Sequence, residues 1–190
     1  MDKLQYSDAT PEEIDLIKNS EPSDKLKNIF KAIGGPKSDA SSIQVFKNKL
    51  IEDAQWRIDV GLDQASPEIS TNGDDLVKET IIKDNIKEVY CYINGYFDQP
   101  ATIKVVRPDS SVPLSNIELL AIYTSAYQWI YKEEESQVGN PGHIEGMLNR
   151  DQSHGRYGIY GHDLGDLVYN SFSDISIYSS FIYCEFRVDS

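Results

Sequence analysis

Apolar positions recur at helical spacing in the first third of the chain and at every second position after residue 85. Residues 10–19 read as a short helix. Thr10 suits the N-cap, Pro11 the first turn, and Glu12 and Glu13 the positive end of the helix dipole. Residues 23–33 read as a second helix, capped by Ser23 and striped by Leu26, Ile29, Phe30 and Ile33, with Gly34-Gly35-Pro36 as its stop. A third is predicted from Ser41 to Ile58, with Ile43, Phe46, Leu50 and Ala54 on one face. These apolar faces are thin, so each helix must dock on the downstream chain or on another molecule.

Residues 61–76 are polar, carry the turn pair Asn72-Gly73 and break both periodicities. This divides the chain into a helical segment (1–62), an acidic connector (63–76) and a core domain (77–190). In the core, Ile86 to Ile93 and Ala101 to Val106 alternate as two strands of a hairpin with a longish loop. Ser115 and Glu118 form an S-x-x-E capping box, and a helix runs from there to about Glu134. Its polar side is the stripe Glu118, Ala121, Ser125, Gln128 and Lys132; the rest is aliphatic or aromatic, which makes it the central core helix. After a glycine-rich stretch, Arg156 to Tyr160 reads as a short strand. Ile175 to Tyr178 and Phe181 to Val188 read as a terminal hairpin around Ser179-Ser180. The expected fold is α+β: an N-terminal helical segment followed by an antiparallel sheet packed on one central helix.

Charge changes the picture of partners. The 190 residues carry 18 basic and 31 acidic side chains, a net charge of −13. The excess lies in two blocks, −6 over residues 51–80 and −7 over 133–190. Such a field repels polyanions, so nucleic acid bound through a basic patch is excluded, and it favours a basic protein partner. The acidic positions singled out as a docking surface are Glu133, Glu134 and Glu135 at the end of the core helix, with Asp74 and Asp75 in the first block. A carboxylate run at a helix C-terminus opposes the dipole, which invites a basic partner; the plainer account is a frayed, solvated helix end. The 12 tyrosines suit interface anchoring, because each ring is large, apolar and polar-tipped. The N-terminal residues form no apolar leader and no run approaches a membrane span, so a cytoplasmic protein without membrane contact is expected. The two cysteines, Cys91 and Cys184, sit in strand-like runs and read as buried thiols, able to bridge if their strands are neighbours.

Candidate chemistry concentrates in residues 143–166, which hold all three histidines, six glycines and several charged residues. Three readings compete. A metal site would use His154, His162 and Asp163 or Asp166, with His143 and Glu145 nearby, although neither H-E-x-x-H nor the EF-hand loop is present. An acid–base site would use His162 with Asp163, Asp166 orienting the imidazole and Arg156 holding an anionic substrate. The structural reading is a twisted strand whose glycines let rings pack close, with His162 hydrogen-bonded and Asp163 or Asp166 capping a turn. No phosphate loop, dinucleotide fingerprint or nucleophile elbow is present, and no cofactor is expected. The balance favours a non-enzymatic interaction protein: an acidic binder of a basic partner, of the immunity or inhibitor type, or a self-associating or assembly subunit. The alternative is a small metal-dependent or acid–base enzyme.

Overall fold

A computed structural model of the chain describes residues 4–27 and 81–189. The fold is α+β. Eight strands, two α-helices and one short 3-10 turn are formed by these residues: β1 (Gln5–Asp8), α1 (Pro11–Asn19), β2 (Asp24–Lys27), β3 (Ile81–Lys83), β4 (Glu88–Ile93), β5 (Ala101–Val106), β6 (Leu114–Ser115), α2 (Asn116–Val138), the 3-10 turn Leu164–Asp166, β7 (Val168–Ile177) and β8 (Phe181–Asp189). Six strands make one sheet in the order β1-β5-β4-β8-β7-β2, and β3 pairs with β6 in a separate two-stranded ribbon. No helix among the described residues is long and apolar enough to cross a membrane.

The sheet is mixed rather than antiparallel. Its central pair, β4 and β8, runs parallel, with Val89 opposite Ile182 and Cys91 opposite Cys184. A parallel pair needs a long crossover, and α2 with the loops after it supplies one. Alternation then sorts each strand into two sides. Val89, Cys91 and Ile93, with Ile103, Val105, Ile182, Cys184 and Phe186, enter the main core with Leu119, Leu120, Tyr123, Tyr127 and Ile130 of α2. Tyr90 and Phe181 face the other way and form a second cluster with Tyr178 and with Ile17 of α1. The two helices therefore lie against opposite sides of the sheet.

α1 forms as its termini dictate. The Thr10 hydroxyl accepts from the Glu13 amide, and the Glu13 carboxylate accepts from the Thr10 amide at 2.9 Å. The same carboxylate accepts from Lys104 at 2.7 Å and from the Tyr90 hydroxyl, so the cap also ties the helix to the sheet. For α2, Ser115 caps the Glu118 amide as expected. The expected polar stripe is not exposed along its whole length, however. Glu118, Ala121 and Ser125 are buried, Gln128 is half-buried, and only Lys132 at its C-terminal end is exposed. Glu118 is tolerated there because Arg107, also buried, binds it at 2.9 Å through Nε and donates to the carbonyls of Ile86 and Val112.

Three further expectations are corrected. Asp24–Lys27, placed in a helix over 23–33, is the edge strand β2. Instead of capping, Ser23 donates both its amide and its hydroxyl to the Ile177 carbonyl, and Leu26 packs on the core; tertiary pairing overrides local helix propensity. Within the predicted helical segment, residues 5–8 are likewise a strand, β1, paired with β5. Arg156 to Tyr160 is not a strand; only Ile159 makes an isolated bridge, to Phe97. The predicted helix over 41–58, the connector, Asp74 and Asp75 lie outside the described residues.

Candidate functional site

The acidic run ending the core helix is not a solvated end. α2 continues to Val138 and stops at Gly139, whose φ is +79°. Glu134 is fully buried. Its carboxylate accepts from the Ser153 hydroxyl and from the amides of Gly155 (3.1 Å), Tyr157 (2.9 Å) and Gly158 (3.1 Å). Burial alone would raise its pKa; the Ser153 hydroxyl and those amides outweigh burial and hold it below the ordinary glutamate value. A Cβ on Gly155 would stand 2.6 Å from this carboxylate, so a glycine is needed for the backbone to come this close. Glu134 thus organises the loop that follows α2 and is removed from any exposed acidic patch. Glu135 reaches Arg150 at 2.9 Å, and Glu133 is half-buried.

The histidine window is distributed rather than convergent. Arg150, buried under the Tyr131 ring, binds Asp163 at 2.9 Å as well as Glu135. The other oxygen of Asp163 meets His143 Nε2 at 2.9 Å. Nothing local in the chain marks this pairing, because the partners are 20 residues apart. The His162 ring packs edge-on against Tyr96, while its carbonyl accepts from the Tyr131 hydroxyl. Asp166 accepts from the Asp163 amide, closing the 3-10 turn rather than orienting an imidazole. Arg156 binds Asp8 at 2.7 Å, and His154 is exposed. The acid–base set His162, Asp163, Asp166 and Arg156 is therefore not assembled around one point. Nor are His154, His162 and Asp166: among the described residues no three His, Cys, Asp or Glu side chains group as metal donors. What the window forms is a bracing network, Glu135–Arg150–Asp163–His143, which fixes the loop onto α2.

A second arrangement of polar side chains lies on the α1 side of the sheet. Register puts Lys27, Asp174, Glu185, Tyr92 and Thr102 in one row across five strands. The neighbouring row carries Lys25, Ser176, Tyr183, Tyr90 and Lys104. The α1 cluster takes Tyr90 and reaches Tyr183 at its margin; the first row lies beyond it, its side chains half-buried or exposed. Tyr92 and Tyr183 stack with centroids 6.3 Å apart. Beside them, Asp174 and Glu185 stand directly opposite each other on adjacent strands, a pairing of like charges that costs stability. Lys27 reaches Asp174 only at 3.7 Å. Burial pushes the Glu185 carboxyl up; its Asn94 hydrogen bond opposes this, and Asp174 adds to it. Sequence alone could mark these positions as the polar phase of each strand, but not place them in one row, because the register joins strands far apart in the chain.

No protein-family model, curated protein or solved structure matches this chain.

Proposed function

We propose that this protein is a non-enzymatic binding protein that docks a basic protein partner on the α1 side of its sheet. The observation that carries this reading is the row in which Asp174 and Glu185 face each other next to the stacked rings of Tyr92 and Tyr183. A lysine or arginine from a partner, set between the two carboxylates, relieves their repulsion and lies against aromatic faces, where a cation is attracted by the ring quadrupole. The net charge of −13 supports the same class of partner by steering its approach. The dispersal of His143, His154 and His162 speaks for binding over catalysis.

The test is recovery of the partner on tagged wild-type protein and on Glu185→Lys and Tyr92→Ala variants, at about 0.05 M and 0.5 M salt. The expected partner is rich in Lys and Arg, is held at low salt, and is lost at high salt and on both variants. Tyr92→Ala should weaken it by about 2 kcal/mol, roughly 30-fold. A partner held equally by all three proteins at both salt levels contradicts the reading.

A further inference from the structure

The chain has two cysteines, 93 residues apart, and the fold sets them side by side. Cys91 on β4 and Cys184 on β8 are register partners in the parallel pair at the centre of the sheet. Both are completely buried on the α2 side, and their sulfurs stand 3.9 Å apart as free thiols. Paired strands lie about 4.8 Å apart, inside the roughly 4.4–6.8 Å Cα separation that a disulfide spans. The bond also has a place in the architecture. β4 with β5 and β1 forms one half of the sheet, β8 with β7 and β2 the other, and β4–β8 is the seam between them.

We propose that Cys91 and Cys184 are a disulfide modification site, oxidised by a small disulfide of the glutathione class. One thiolate attacks the oxidant, forming a mixed disulfide and releasing one thiol. The second thiolate then displaces the remaining thiol. Cys91 and Cys184 together lose two electrons and two protons, and the oxidant becomes two thiols. Burial and then Cys91 itself push the Cys184 thiol well up, and a thiol rather than a thiolate does not attack. Exchange is therefore blocked in the closed sheet and proceeds when β4 and β8 are apart, during folding or opening. Directly opposed strand positions hold a disulfide under strain, so the bond is reducible rather than permanent.

The experiment is to unfold the protein and refold it with reduced and oxidised glutathione, alongside refolding in dithiothreitol. The expected product is folded, lighter by two hydrogens, and yields a linked peptide containing Cys91 and Cys184. It should melt on the order of 10 °C above the reduced form, because the bond closes a long loop in the unfolded chain, and dithiothreitol should remove the difference. Folded protein exposed to the same buffer should react far more slowly. Three outcomes overturn the proposal: free thiols after refolding, one glutathione on each cysteine with no internal link, or a linked product that melts below the reduced protein. Cys91→Ala/Cys184→Ala, taken through the same refolding, must show no shift.

Discussion

On the α2 side of the sheet, Val89, Cys91, Ile103, Val105, Ile182 and Cys184 meet an aromatic and aliphatic helix, and the charges admitted near them are tightly matched. Arg107 has Glu118, and Glu134 has four donors. On the α1 side, the residues between these in sequence are Tyr90, Tyr92, Lys104, Tyr183 and Glu185, and a helix of nine residues covers only part of them. The strands are the same; only the phase differs. A strand with a side-chain period of two can therefore contribute to a dry core and to a half-wet, charge-strained surface at once. Substitution is therefore costly on the α2 side and free to serve recognition on the α1 side.

Breaking the α2 side should have the largest effect. Glu118→Ala leaves Arg107 buried without its counter-charge and should lower unfolding free energy by about 3–5 kcal/mol, read from urea denaturation. Gly155→Ala pushes a methyl group into the pinned Glu134 carboxylate and should cost about 1–3 kcal/mol in the same assay. A pH series separates the two sides, because Glu134 and Glu185 titrate with opposite sign. Glu134, held below its ordinary value of 4.5, contributes stability above that pH, and the contribution fades as pH falls through its folded value. Glu185 is raised above 4.5, so its contribution is complete below 4.5 and is lost as pH rises through its folded value. Melting temperature followed from about pH 3 to pH 7 should thus lose part of its acid-side slope in Glu134→Gln and become steeper in Glu185→Gln. The smallest effect belongs to Glu185→Gln at pH 7, a gain of less than about 0.5 kcal/mol. A loss there comparable to that of Glu118→Ala would show that the α1 side is core after all.

Elements whose signal is local were legible in the sequence. Thr10 with Pro11, Ser115 with Glu118, and the alternation over Glu88–Ile93 and Ala101–Val106 each specify their element from a few neighbouring residues. Elements that exist only by pairing were not. β1 and β2 have four residues each and take their extended form from β5 and β7. The run Arg156 to Tyr160 looks like a strand because it alternates, but its amides turn inward to a carboxylate from another element. The same applies to the candidate site. The acidic and tyrosine content was visible, yet the row containing Asp174, Glu185 and Tyr92 depends on a parallel register that periodicity does not encode.

β1 and β2, with α1 between them, sit on the two outer margins of the sheet. The Ser23 hydroxyl meets a carbonyl 154 positions later. Contacts of such separation raise contact order and slow folding. During synthesis, residues 5–27 leave the ribosome long before Val168–Ile177 exists, so β2 has no template until nearly all of the described chain has been made. Until then β4, which waits for β8, and β2, which waits for β7, have unpaired backbone edges, the kind of surface that chaperones cover and that aggregation exploits. Assembly of this sheet therefore waits for its last two strands, and its yield in a cell should depend on what shields those edges in the interval.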